Sequence, residues 1–119
     1  MEIKKKLLGL TEPVTIFGGS LKKKEVLAKI DTGATSSSVD LKLASELELG
    51  PIKKIKVVKS ASGKGRRAVI NLRIKLDGKI IEDEFTVAER KNLSCPVLIG
   101  QNILKKGNFL IDPNKPTIR

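Results

Sequence analysis

Apolar residues recur every second position from Ile70 to Leu76, with Ile70, Leu72, Ile74 and Leu76 on one side and Asn71, Arg73 and Lys75 on the other. Period two is the signature of a strand with one buried face, and it predicts a strand over Ala68 to Leu76. Asp77-Gly78 is a tight-turn pair, and Ile81 to Val87 alternates again, so this region reads as a hairpin. Asp83 interrupts the apolar row of Ile81, Phe85 and Val87 and reads as an edge-strand charge or an ion-pair partner. Upstream, Val14 to Phe17 before Gly18-Gly19 and Glu25 to Ile30 before Asp31 predict two more strands, and Ile52 to Lys59 alternates loosely. Pro96-Val97-Leu98-Ile99 is continuously apolar, as in a strand covered on both faces, and Phe109-Leu110-Ile111 closes the series before Asp112-Pro113.

Helical spacing is confined to two short stretches. Leu43, Ala44 and Leu47 follow Asp40, which is placed to cap the helix, and Gly50-Pro51 stops it. Gln101 to Lys105 forms the second, directly after Gly100. Short strands punctuated by Gly and Pro therefore predict an all-β domain with one or two short helices.

A chain of 119 residues is the size of one domain. No segment approaches the ~20 apolar residues that cross a bilayer, and the N-terminal stretch lacks the apolar run and cleavage site of a secretory signal. A cytoplasmic protein without a membrane partner is expected. The chain has no histidine and one cysteine, Cys95. Ser-His and Cys-His catalysis is therefore excluded, an intrachain disulfide cannot form, and Cys95 reads as a small buried residue. Any hydrolysis must come from carboxylates, lysines or an oxygen-ligated metal. The net charge of +11 suits a polyanion. With three Phe and no Tyr or Trp, however, the stacking platforms of single-strand binders are missing, and nucleic acid ranks last among expected partners.

Ala28-Lys29-Ile30-Asp31-Thr32-Gly33-Ala34 sets a carboxylate in a tight turn at the end of an apolar strand. Read blandly, Asp31 is a turn residue binding its own backbone. The triplet resembles the Asp-Thr-Gly signature of aspartic proteases, and Val97-Leu98-Ile99-Gly100-Gln101-Asn102-Ile103-Leu104 resembles the second hallmark of retropepsins, apolar residues and a Gly before a short helix. A closer resemblance, from about residue 13 to 113, is to the small retropepsin-like family known as ATP-dependent zinc proteases and associated with the ATP-grasp ligase RimK. It rests on residues 29–34, Ser60-Ala61-Ser62-Gly63 with Arg66-Arg67, Val87-Ala88-Glu89-Arg90 and Pro96 to Gln101. Glu89-Arg90 departs from that family's usual Asp-Arg.

The resemblance implies a closed retropepsin-like β-barrel. It also implies an aspartic endopeptidase in which Asp31 pairs with Asp31 of a second copy, because the chain carries one such motif and the chemistry uses two. Two carboxylates at ~3 Å share one proton, one acting as base on water and the other as acid on the scissile carbonyl. Thr32 is expected to brace the loop through its hydroxyl, Gly33 to allow backbone approach and Ala34 to keep the site open. A flap carrying Ser62, Gly63, Lys64, Gly65 and Arg67, with Ile99 and Gly100 behind the loop, is expected to line the cleft for an extended peptide.

Arg66, Arg67 and Arg90 either suit acidic peptides or are solvated strand-edge charges. The zinc and ATP of the family name find no matching residues here: there is no ligand cluster and no phosphate loop, so no cofactor is expected. The alternative to an enzyme is a retropepsin-like module that binds peptides or dimerises without catalysis.

Overall fold

The structure, a computed structural model, describes residues 5–60, 63–90 and 93–117. In chain order the elements are β1 (Leu7–Leu8), β2 (Thr11–Phe17), β3 (Lys23–Ile30), β4 (Ser37–Asp40), α1 (Leu41–Glu46), β5 (Ile52–Ser60), β6 (Gly63–Leu76), β7 (Lys79–Ala88), β8 (Val97–Ile99), α2 (Gln101–Lys106) and β9 (Leu110–Ile111). Strands run in the order β2-β3-β8-β4-β7-β6, and β6 returns to pair with β2, closing a six-stranded barrel. The expected closed β-barrel with two short helices is what the chain forms.

Alternation decides which side chains fill the barrel. Val14 and Ile16 of β2, Ile70, Leu72, Ile74 and Leu76 of β6, and Ile81 and Phe85 of β7 are all buried in one cluster. Full burial of each contributes about 1.5–3 kcal/mol. Asp83, on the same face as Ile81, stays half-buried and turns Oδ1 back to accept the N–H of Glu84 at 2.8 Å. The hairpin at Asp77-Gly78 forms as the pattern predicts, with Leu76 opposite Lys79.

The least legible element is β4. Its sequence carries no alternating strand pattern, yet all four residues are buried and lie between β8 and β7. A polar strand is tolerated inside a barrel only when its side chains are bonded, and these are. Ser37 reaches Asn102 and Gly100, Ser38 reaches Arg90, and Asp40 accepts the backbone N–H of Arg90 at 2.7 Å. Asp40 thus occupies the N-cap position of α1 without making a capping bond, because its carboxylate is committed across the barrel. The helix also ends earlier than Gly50-Pro51: Leu47 is its C-cap and Glu48 takes φ 53°, which breaks the helical path.

β6 is long enough to serve two neighbours along one edge. Residues 73–76 pair with β2, whereas residues 63–70 pair with β5, so β5 and the first half of β6 form a hairpin arm extending from the barrel. At the other end, β1 and β9 pair in parallel, and Lys115 joins the Leu7 carbonyl (2.7 Å) to the Glu12 carboxylate (2.9 Å). Among the described residues no helix is long and apolar enough to cross a membrane.

Candidate active site

Asp31 follows the last residue of β3, where Ile30 lies opposite Ile99 of β8 and the Asp31 N–H donates to the Ile99 carbonyl at 2.9 Å. The chain then turns. Ala34 N–H donates to the Asp31 carbonyl (3.3 Å), and Gly33 N–H donates to Asp31 Oδ1 (2.9 Å). One carboxylate oxygen is therefore held by its own loop, while Oδ2 takes no hydrogen bond among the described residues. The side chain is partly exposed.

The second motif clasps this loop from behind. Gln101 donates from its backbone N–H to the Ala34 carbonyl (2.7 Å) and from Nε2 to the Thr32 carbonyl (2.8 Å). Gly100 donates its N–H to Ser37 Oγ (2.9 Å), and Ser37 Oγ donates in turn to Asn102 Oδ1 (2.7 Å). Gly100 approaches so closely that a Cβ there would stand 2.8 Å from the Ala34 carbonyl oxygen, closer than real Cβ contacts come. Thr32 is held within the chain through its carbonyl, which accepts from Gln101 Nε2. Within the chain the Thr32 hydroxyl makes no bond among the described residues.

The hairpin arm roofs a cavity of about 340 Å³ beside this loop. Gly33 and Ala34 form one wall, Lys56, Val58 and Arg67 hang from the arm, and Arg90 and Leu98 lie at the base. Lys56 Nζ donates to Ser36 Oγ (3.1 Å), and beyond that bridge a second hollow of about 460 Å³ continues under β5 towards Phe85 and Asn102. Lys53 and Lys54 tie the base of the arm to Glu84 at 2.9 and 3.3 Å. These lysines hold the Glu84 carboxyl below its ordinary range.

The expected flap residues divide. Arg67 faces the cavity, but Gly63, Lys64 and Gly65 sit at the outer end of the arm, where a Cβ on either glycine would meet nothing within 4 Å. Ser62 lies outside the described residues. Ile99 belongs to the core, fully buried, so its part in the site is its carbonyl; strand alternation turns Leu98 to the cavity instead.

Arg90 departs most from the sequence reading. A solvated edge arginine was one of the two expectations, yet it is buried, with Nε donating to the Cys95 carbonyl (3.1 Å) and Nη1 to Ser38 Oγ (3.4 Å). Burial pulls its pKa below the ordinary value, Arg67 adds to that, and Cys95, Asp40 and Asp31 pull the other way. Lys56, Val58, Leu98 and Thr86 also line the cavity and carry no sequence signal, since strand pairing alone brings them there. No three of His, Cys, Asp and Glu converge among the described residues, so the side chains do not fit a zinc ion.

Solved structures support the architecture. The Legionella pneumophila protein Lpg0085, of unknown function (DUF785), superposes with a TM-score of 0.68 at 23% identity, over 96% of this chain and 98% of its own. The EIAV protease complexed with the inhibitor HBY-793 superposes with a TM-score of 0.66 at 19% identity, over 86% of this chain and 90% of its own. No curated protein matches the sequence. The family model of the retropepsin-like aspartic endopeptidase RimB matches residues 40–119, about two thirds of the chain, starting after the Asp31 loop and including Arg90, Gly100 and α2. The chain therefore belongs to the RimB-like family of retropepsin-like aspartic endopeptidases.

Proposed function

We propose that the protein is an aspartic endopeptidase that works as a homodimer, with Asp31 of each copy at one shared site, and that it cleaves extended peptides carrying acidic side chains. The observation that carries the reading is the Asp31 carboxylate itself. It sits at a strand end, with Oδ1 held by Gly33 and its loop clasped by Gln101 from a segment some 70 residues away. Rigid support of this kind fixes a reacting group to the tolerance that catalysis needs.

In the dimer, two such carboxylates at ~3 Å share one proton. The ionised oxygen takes a proton from water as that water attacks the peptide carbonyl. The protonated partner donates to the carbonyl oxygen, and the tetrahedral intermediate then collapses with protonation of the leaving amine. The hairpin arm covers the reacting centre, and the groove beneath β5 holds an extended chain. Arg67 and Arg90 favour a substrate carboxylate, for which arginine offers a fork of donors.

The test compares parent and Asp31→Asn on unstructured acidic and neutral peptides from pH 4 to 7. Cleavage of acidic peptides by the parent, lost in Asp31→Asn at unchanged thermal stability, is expected. Equal cleavage by both proteins, or none by the parent, would remove the enzymatic reading and leave a peptide-binding module.

A further inference from the structure

Between Glu48 and Asp77 the sequence contains no acidic residue, and the hairpin arm lies wholly inside that stretch. Lys53 and Lys54 share the single carboxylate of Glu84, and Lys56, Lys59, Lys64, Arg66 and Arg67 have no ion pair among the described residues. Five positive charges without an ion pair thus ride on a two-stranded arm whose strands, beyond the barrel, pair with each other among the described residues. The arm also lies beside the Asp31 loop: Lys56 and Arg67 share one cavity with Gly33 and Ala34.

These two facts conflict with the shared site unless something resolves them. Resting on the dimeric reading above, any arrangement that brings two Asp31 side chains together also brings two arms over one centre. Their charges then fall within the range where screening is incomplete, since the Debye length is ~8 Å at 0.15 M salt. Like charges in one place oppose association. A bound acidic chain running under both arms reverses the sign, because each carboxylate offsets a lysine or arginine from either subunit.

We infer that the two basic arms make the assembled site conditional on its ligand: a polyanionic peptide bridges them, so that peptide binding and dimerisation are one coupled event, and without the peptide the chain is held towards the monomer. Coupling of this kind is reciprocal, so the ligand strengthens the dimer by the same factor by which dimerisation strengthens ligand binding. The occupant is a peptide and not a nucleic acid, because the groove under β5 is lined by Ile55, Val57 and Phe85 and no Tyr or Trp is present for base stacking.

Sedimentation equilibrium of the intact chain tests this, with poly-D-glutamate as the probe because an L-peptidase does not consume it. At 50 mM NaCl the dimer dissociation constant is expected to fall at least tenfold when the polymer is added. Without polymer it falls as NaCl rises to 0.5 M, the sign of screened repulsion. The combined variant Lys56→Gln, Lys59→Gln, Lys64→Gln, Arg66→Gln should dimerise at least tenfold more tightly than the parent without polymer and lose the response to it. Removing four exposed charges elsewhere (Lys5→Gln, Lys23→Gln, Lys42→Gln, Lys75→Gln) should leave the parent's behaviour.

A parent dimer indifferent to both polymer and salt overturns the inference and leaves the dimer standing, and so does a second variant that behaves like the first. An RNA oligonucleotide that drives dimerisation where poly-D-glutamate does not overturns it in favour of a nucleic-acid partner. A chain that stays monomeric in every condition removes the dimeric reading itself. The salt series on the parent needs no substitution, so a poorly folding variant leaves the inference exposed to refutation.

Discussion

Gly100 and Ala34 stand so close that the loop bearing Asp31 and the turn into α2 have backbone against backbone: a Cβ on Gly100 would come within 2.8 Å of the Ala34 carbonyl oxygen and 2.7 Å of the Ser36 carbonyl carbon. Neither neighbour is a flexible side chain, so Gly100→Ala can be accommodated only by moving the Asp31 loop. Overpacking of this sort costs about 1–3 kcal/mol. Urea denaturation should show that loss, and cleavage should fall further than stability does, because the displaced loop carries Asp31, on which the proposed reaction depends.

Ser37 is fully buried and joins the two motifs, accepting from Gly100 N–H and donating to Asn102 Oδ1. Ser37→Ala leaves a buried N–H and an amide oxygen without that partner, which costs about 1–3 kcal/mol. The neighbouring Ser36→Ala loses only the contact with exposed Lys56 and should change stability by no more than about 0.5 kcal/mol. Denaturation curves of the pair measure the contrast.

Arg90→Met removes the donors to the Cys95 carbonyl and Ser38 Oγ while keeping the backbone bond to Asp40. A loss of about 1–3 kcal/mol is expected, with a rise in KM for acidic peptides that neutral peptides do not show. Arg90→Lys should restore neither, because a single ammonium cannot reproduce the geometry of Nε and Nη1. Parallel kinetics on matched peptides would expose a purely structural role, which would shift both substrate classes alike.

The attachment of the arm is pH-dependent through Glu84, whose carboxyl is held below its ordinary value of 4.5 by Lys53 and Lys54. A depressed folded-state pKa means that this contribution is complete above 4.5 and is lost as pH falls through the lower folded value. Amide hydrogen exchange along β5 should therefore quicken below pH 4.5 in the parent. In Glu84→Gln it should be faster at neutral pH and lack that step. Because Glu84 is half-exposed, 0.5 M salt should shrink the difference.

Much of the barrel was legible in the sequence because strands with one buried face write period two into the chain. Ile70 to Leu76 and the Asp77-Gly78 turn folded as their patterns predicted, and Val97 to Ile99 formed a strand, though Leu98 is half-buried instead of covered. Asp31-Thr32-Gly33 and Gly100-Gln101 could each be recognised as short motifs. Their conjunction could not be derived from either segment, since it depends on β3 and β8 pairing in parallel and delivering both to one end of the barrel.

β4 was invisible because hydropathy treats Ser37, Ser38 and Asp40 as solvent-seeking, and only tertiary structure supplies the bonds that let them be buried. The burial of Arg90 was illegible for the same reason, and of its two sequence readings the solvated edge charge does not hold. The sequence by itself determined which residues face the core and which segments turn. Tertiary structure alone decided which polar residues are buried, and that Lys56 and Arg67 of the arm share a cavity with Gly33 and Ala34 of the Asp31 loop, because each of these depends on contacts between segments far apart along the chain.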